Sequence, residues 1–310
     1  MYTYRDSGVD IERGDSFSSF ISHLSEVPPW LVREPTGYAA ILNFTDPPIV
    51  LTTDGVGTKL ILHQRYRRWR DAALDLIAMN YNDIVAAGGE PMAFVDYIGT
   101  PNINEELYEF AQELKRALRE LNLYLVAGET AEMPGIYERH WDVVGFAVGR
   151  LVRRLPVEEI SKGDAIIGLR STGFHSNGWS LIRKIISQEG IDIESLPFDI
   201  LAGTRIYKEV IQVLRNVKGV AHVTGGGLRR ALRRLLKGKG YRLSIDRSPH
   251  YDWILRYVEL EECFSTFNMG YGMLLFVEKS KVEEVSKILG GEIIGEVLDE
   301  GEERKIDYGG

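Results

Sequence analysis

The sequence predicts an α/β protein, of the α+β type, built from two lobes that divide near residue 155. Three observations carry that reading. The chain has 310 residues, long enough for two domains of ordinary size. Its 44% hydrophobic and 26% charged content is that of a globular protein with a full core. In both halves, apolar runs end in loops of glycine and polar residues, which then give way to helix patterns. The lobes are taken as residues 1–155 and 156–310.

In the first lobe, the opening thirty-five residues are irregular apart from one apolar stripe. Phe17, Phe20, Ile21 and Leu24 form that stripe, a helix candidate ended by Pro28 and Pro29. "GYAAILNF" and "PPIVLTT" read as strands joined by a turn at Asp46, Pro47 and Pro48. "DAALDLIAMNYNDIVAAGGEP" reads as a buried helix, apolar on most sides and stopped by Gly88, Gly89 and Pro91. "MAFVDYIGT" is the next strand. Asn104 caps a helix with Glu105 and Glu106 in its first turn and a core stripe of Leu107, Phe110, Leu114, Leu118 and Leu121. "LYLVAGET" returns as a strand ending in glycine and a carboxylate, and "WDVVGFAVGRL" is another. The second lobe opens with "KGDAIIGLRSTG", a strand that again runs into a glycine-rich loop and a helix. Helices follow around 181–186 and 206–214, then "HVTGGGL", and "GMLLFVE" and "GEIIGEV" close the lobe as strands.

Composition narrows the function. No apolar run reaches membrane-spanning length, and "MYTYRDSGVDIERGD" is charged where a signal peptide needs its apolar stretch. A cytoplasmic protein with no membrane partner is expected. The single cysteine, Cys263, can form neither an internal disulfide nor a cysteine-based zinc site. A net charge of −8 and a pI near 5.4 argue against nucleic acid as the main partner. "RYRRWR", 65–70, is either a phosphate contact or a solvated helix edge. "LRRALRRLLK" places Leu228, Ala231, Leu232 and Leu235 on one helical stripe and Arg229, Arg230, Arg233 and Arg234 opposite. It is read as a surface helix with a wet basic face.

Four loops combine small residues with polar groups: "TTDGVGTK", "AGETAEMPG", "STGFHSNG" and "HVTGGG". The first follows a strand, the place where open α/β sheets bind ligands. There Gly55 and Gly57 let the backbone turn and approach a bound group, Asp54 can hold a divalent cation, and Thr58 and Lys59 can face phosphate oxygens. The spacing is not that of a Walker A loop, and an ordinary β-turn is the alternative. Asp83, on the buried helix, needs a partner: either a Mg²⁺ shared with Asp54, or a cap or salt bridge. In "AGETAEMPG", Glu129 and Glu132 flank Thr130 and either extend the metal shell and position a nucleotide or form a plain turn. His175, Ser176 and Asn177 precede a helix whose free N–H groups suit an anion, and His175 can steady a transferring phosphoryl or move a proton. Thr224, Gly225 and Gly226 share the anion-binding logic; His222 before them is either functional or structural.

Ten segments, taken in order, resemble the signature stretches of the phosphoribosylformylglycinamidine cyclo-ligase family, also called aminoimidazole ribonucleotide synthetase. They are "YRDSGVDI", "TTDGVGTKL", "DLIAMNYNDI", "GGEPMAFVDY", "GETAEMPGIY", "DVVGFAVG", "STGFHSNGWSLIRKI", "TRIY", "AHVTGGGL" and "TFNMGYGM". The resemblance spans nearly the whole chain, and the pairing of "GETAEMPG" with "HSNGWSL" is its most specific part. It implies a homodimer whose N-terminal sheets close into a shared barrel. It also implies that formylglycinamidine ribonucleotide and ATP give aminoimidazole ribonucleotide, ADP and phosphate. ATP and magnesium then belong at Asp54, Gly55, Val56, Gly57, Thr58, Lys59 and Asp83, with Gly128, Glu129 and Thr130 as further nucleotide contacts. Substrate falls to His175, Ser176, Asn177, Thr224, Gly225 and Gly226; catalysis falls to His175, Asp54 and Lys59. The chain departs from the family pattern at "SSFISHL", at "EPTGYAA", at "LAGTRIY" and at Asn80 and Tyr81. Formylglycinamidine ribonucleotide synthetase, selenophosphate synthetase, thiamine-monophosphate kinase and a hydrogenase-maturation dehydratase resemble the chain in the strand-end motif, and a dimeric nucleotide-binding module without catalysis is the reading from another class.

Overall fold

The computed structural model describes residues 1–24, 27–32 and 36–309. The first lobe runs α1 (Ile11–Leu24), β1 (Leu31–Val32), β2 (Ala40–Leu42), β3 (Ile49–Gly55), α2 (Leu60–Tyr66) and α3 (Trp69–Ala86). It continues with β4 (Gly89–Thr100), α4 (Glu105–Glu120), β5 (Tyr124–Glu132) and β6 (Asp142–Leu151). Its strands lie in the order β1-β2-β3-β6-β4-β5, antiparallel except for the pair β4–β5. That parallel pair needs a crossover, which α4 supplies. Asn104 Oδ1 caps α4 by accepting the Leu107 N–H at 3.3 Å, and Leu107, Phe110, Leu114 and Leu118 are buried while Leu121 is half-buried.

α3 explains its own composition. One side lies on β3, β4 and β6; another meets the second lobe at β8 (Gly219–His222) and a 3₁₀-helix, Lys208–Asn216. A helix covered on several sides has no face to give to water, so its apolar pattern runs all round. α3 is thus the beam between the lobes.

The second lobe contains β7 (Ala165–Arg170), α5 (Trp179–Gln188), β8, α6 (Gly227–Leu236), β9 (Lys239–Ile245), α7 (Pro249–Ile254) and α8 (Leu260–Thr266). β10 (Tyr271–Val277), α9 (Val282–Leu289), β11 (Glu292–Glu300) and β12 (Arg304–Tyr308) complete it. Its sheet order is β12-β9-β11-β7-β10-β8. β10 is buried along its whole length, which is why "YGMLLFV" is apolar without alternation. The α/β architecture of two lobes, each with its own sheet, agrees with the expectation from sequence.

Several details differ. The apolar stripe near the N-terminus does form a helix, α1, but Phe17, Phe20, Ile21 and Leu24 are exposed on it. The stretch expected as a helix around 206–214 is the 3₁₀-helix; its buried Val210 and Val213 are spaced by three, the repeat a 3₁₀ turn stacks. β1, α2, β9, α7, α8, α9 and β12 were not anticipated. β5 forms as expected yet is exposed at nearly every residue. Within the departing segment "EPTGYAA", residues 34 and 35 lie outside the described residues. The two basic clusters are occupied by the chain itself. Arg67 pairs with Glu106 and Glu109, Arg68 with Asp71 and Asp199, and Arg70 with Glu120. On α6, Leu228, Ala231, Leu232 and Leu235 are buried, as the stripe requires.

Candidate active site

A cavity of about 470 Å³ lies where loops of the two lobes meet. The end of β3 supplies Asp54, Gly55, Val56 and Gly57. Ser176, Asn177 and Gly178 come from the loop before α5, and Thr224 and Gly225 from the loop before α6. Three of the four loops singled out in the sequence therefore converge on one space. Tyr4, Met79, Val144 and Asp142 complete its wall.

Asp54 Oδ1 accepts the Gly55 N–H at 2.8 Å, and Asn80 Nδ2 donates to the Asp54 carbonyl at 3.1 Å. Burial, and then the negative charge of Asp83, push the Asp54 carboxyl up to about 6. A carboxyl raised by a neighbouring carboxylate in this way marks a place that a cation would relieve. Among the described residues no group of three or more His, Cys, Asp or Glu is arranged to hold a metal. An ion held at Asp54 would take its remaining ligands from phosphate and water, which is the habit of magnesium.

Asp83 has a protein partner as well. His222 Nδ1 donates to Asp83 Oδ1 at 2.8 Å, while Asn82 Nδ2 donates to His222 Nε2 at 3.4 Å. That arrangement ties β8 to α3. Asp83 faces a neighbouring space with Thr52, Thr53 and Tyr38.

Lys59 requires a correction. The sequence placed its ammonium toward phosphate oxygens; in the structure the side chain is fully buried. Its Nζ donates to Asp75 Oδ1 at 3.0 Å and to the Ala202 carbonyl at 2.7 Å, and lies 2.8 Å from Asp75 Oδ2. Thr58 faces Ser180, with 3.2 Å between hydroxyls. The short helical turn after Gly57 rotates Lys59 into the protein, away from the cavity.

His175 is also turned inward. It adopts φ of 55°, in the left-handed region, and the residue is 1% exposed. Its Nε2 accepts backbone N–H groups from Thr172 at 3.2 Å and Arg205 at 3.4 Å. Burial, then the nearby His222 and Lys59, hold its pKa well below the ordinary histidine value, so the ring is neutral. A Cβ at Gly272 would strike this ring and the Tyr207 hydroxyl, so only glycine admits the imidazole there. Direct contact with a phosphoryl group does not match this geometry; the ring braces the loop from behind. Asn177 is buried too, donating Nδ2 to the Val223 carbonyl at 3.0 Å.

Gly128, Glu129 and Thr130 are not brought to Asp54. Across the sheet, Asp54 lies opposite Gly145, Gly145 opposite Asp96, and Asp96 opposite Gly128. Three strand spacings separate the ends of that row, about 14 Å. The reason is topological: β4 and β6 stand between β3 and β5.

Asp142 was missed. It starts β6 two residues before Val144, with buried Val143 between them, so a period of two puts Asp142 and Val144 on the cavity side. That alternation was legible in "WDVVGFAVGRL". Asp75 was also missed, because one carboxylate inside an apolar helix does not name its partners.

The family described as AIR synthase related protein, N-terminal domain, matches residues 37–151, and its C-terminal domain counterpart matches 161–307. A phosphoribosylformylglycinamidine cyclo-ligase of Methanosarcina mazei is 36% identical over 323 residues, covering 96% of both chains. One from Thermococcus kodakarensis is 37% identical over 328 residues, again covering 96% of both. Among solved structures, thiamine monophosphate kinase from Aquifex aeolicus superposes with a TM-score of 0.67 at 16% identity, covering 97% of this chain and 98% of that one. A chain of the HypE–HypF complex gives 0.69 at 17% identity, covering 94% and 95%. At such identities these two share the fold alone. Kinship with the cyclo-ligases over nearly the whole of both chains, together with both domain matches, shows that this chain belongs to the phosphoribosylformylglycinamidine cyclo-ligase (AIR synthase) family.

Proposed function

We propose that the chain closes the imidazole ring of formylglycinamidine ribonucleotide, using ATP, to give aminoimidazole ribonucleotide, ADP and phosphate in purine biosynthesis. One observation carries this reading. In a member of this family, residues 54–57, 176–178 and 224–225 converge on one cavity.

The chemistry asks for two things. A formamide oxygen is a poor leaving group, so the γ-phosphoryl of ATP must first be transferred to it, releasing ADP and giving an iminophosphate. The amidine nitrogen of the same substrate then attacks, and phosphate departs as the ring closes. The protein must neutralise charge on the moving phosphoryl group and fold an extended substrate for attack. α5 starts beside the cavity, where the free N–H groups of its first turn suit an anion, whereas the first N–H groups of α6, at Gly227 and Leu228, are bonded to the Thr224 and Phe267 carbonyls. Asp54 and Asp83 would hold magnesium, which supplies positive charge beside the nucleotide phosphates. His175 acts through its loop, fixing the residues 176–178 that line the cavity. Asp142 adds a second carboxylate, beside that of Asp54, to the wall.

The reading extends to a homodimer through the first lobe. On β5, Tyr124, Leu125 and Val126 are 71%, 45% and 62% exposed, and the strand is an unpaired sheet edge. An apolar exposed edge invites a second strand, and a twofold contact would bring Glu129 and Thr130 toward the partner. The substrates are charged nucleotides, which places the work in the cytoplasm. Phosphate release from ATP, measured with and without formylglycinamidine ribonucleotide, is the test. Substrate-dependent release is expected; equal release in both reactions defeats the assignment.

A further inference from the structure

Four buried groups that do not line the cavity form one polar network. Asp75 accepts at Oδ1 from Lys59 Nζ at 3.0 Å, from the Thr204 N–H at 2.8 Å and from Thr204 Oγ1 at 2.6 Å. At Oδ2 it accepts from His63 Nε2 at 2.7 Å. Lys59, His63 and Asp75 are wholly buried, and Thr204 is 1% exposed. Burying charges costs several kcal/mol per ion, and a hydrophobic set of similar volume usually serves stability as well or better. The arrangement therefore calls for a reason beyond stability.

Its position supplies one. Lys59 directly follows the nucleotide loop, Asp75 sits on α3, and Thr204 belongs to a connection of the second lobe. That connection, residues 202–207, has little regular structure and is held almost entirely by side chains. Asp71 Oδ1 accepts the Gly203 N–H at 2.8 Å, and Lys59 holds the Ala202 carbonyl. Asn82 Oδ1 accepts the Tyr207 N–H at 3.0 Å, and Asn82 Nδ2 donates to the Arg205 carbonyl at 3.0 Å. A Cβ at Gly203 would press on the Leu74 side chain, so the connection lies directly on α3. From its other side, the connection holds the substrate loop. Thr172 Oγ1 donates to the Gly203 carbonyl at 2.6 Å, the Arg205 N–H donates to His175 Nε2, and the Ser176 and Thr204 hydroxyls are 3.4 Å apart.

We infer that Asp75 is a positioning residue: through Lys59 and Thr204 it fixes the substrate loop of one lobe in register with the nucleotide loop of the other. The inference rests on the proposed function for its kinetic readout only. Asp75 touches no ligand and moves no proton. It sets the distance between the phosphoryl donor and the amidine substrate, a quantity to which rate is steeply sensitive.

The test uses full-length Thr204→Val, which removes one buried hydroxyl at nearly constant volume, with Thr204→Ser as the conservative rescue. A second variant, Lys59→Met with Asp75→Asn, removes both charges together and so leaves no unpaired buried ion. Each is assayed for kcat, for both KM values, for Kd of magnesium with a non-hydrolysable ATP analogue, and for hydrogen exchange in residues 172–177. The expected result is a kcat loss of about tenfold to 10²-fold in Thr204→Val and in the double variant. The analogue Kd should stay within about twofold, Thr204→Ser should recover most of the rate, and analogue-induced protection of 172–177 should disappear in both impaired variants. Folded variants with wild-type kcat and wild-type protection would overturn the inference. So would weakened analogue binding in the double variant with Thr204→Val silent, since Lys59 would then be reaching the phosphates. Should the wild-type chain release no phosphate with substrate, the proposed function falls. The exchange experiment with the analogue then decides the positioning role alone.

Discussion

Asp54, half-buried at the cavity, and Asp75, wholly buried on α3, are treated in opposite ways. Burial pushes both carboxyls up. For Asp75 the Lys59 ammonium, the His63 hydrogen bond and the Lys59 hydrogen bond outweigh burial and hold it well below the carboxylate range. For Asp54 the neighbouring Asp83 adds to burial, and the group rises to about 6. One carboxylate is satisfied by the chain; the other is left wanting a positive charge from outside. A carboxylate that serves the fold has its partners built in, whereas one that serves a ligand is left incomplete.

Removing the satisfied one should do the larger damage to folding. Asp75→Ala strands the Lys59 ammonium in the core, and breaking a buried pair in this way costs about 3–5 kcal/mol. Urea denaturation should show the midpoint falling by that amount divided by the slope m, with little change in m itself. An Asp75→Ala protein of normal stability would mean that the network relaxes and carries no charge penalty.

Asp54→Asn should behave in the reverse manner. Its stability should hold or rise, while kcat falls by about 10²–10³, the typical loss for one preorganised electrostatic contact. Turnover near that of wild type would remove Asp54 from the reaction.

Acid should separate the two as well. Burial holds His63, His175 and His250 below the ordinary histidine pKa, so each is neutral in the fold and protonates on unfolding below about pH 6.5. The stability they contribute is present above that pH and is lost as pH falls. Asp75, also depressed, loses its contribution further down, below about pH 4. Asp54 and Asp96, both raised by burial, work the other way above the ordinary carboxylate value, Asp54 from about 6. The free energy of unfolding should therefore fall from pH 7 to pH 5, the wholly buried His175 contributing on the order of 1 kcal/mol per pH unit below its unfolded pKa. A flat profile over that range would show the imidazoles to be as easily protonated in the fold as out of it.

The smallest expected effect lies at the sheet edge. Val126→Lys, on exposed β5, should leave monomer stability within about 0.5 kcal/mol, as surface changes usually do, while weakening self-association. Sedimentation of wild type as a monomer at micromolar concentration would contradict the dimer outright.

Much of this was legible in the chain because period and loop chemistry are local. The alternation of β6, the α4 stripe with its Asn104 cap, and the glycine-rich strand ends could all be read without a structure. Partnership could not. Nothing in "GTKL" says whether a lysine faces a phosphate or an aspartate sixteen residues on; the rotation of one helical turn decides it. His175 looked like a loop histidine open to ligand, and its burial depends on Gly272 and residue 205, remote in sequence. Glu129 looked close to Asp54 because both end strands, but strand order is set by crossover topology and not by motif.

The division of labour between the two aspartates is tested most directly by equilibrium binding of Mn²⁺, a paramagnetic stand-in for magnesium, in the presence of a non-hydrolysable ATP analogue. Wild type, Asp54→Asn and the charge-free Lys59→Met, Asp75→Asn variant are compared by electron paramagnetic resonance. The account predicts that Asp54→Asn loses at least about tenfold in Mn²⁺ affinity, while the charge-free variant binds as wild type does. Equal affinity in wild type and Asp54→Asn, or a loss confined to the charge-free variant, would contradict it.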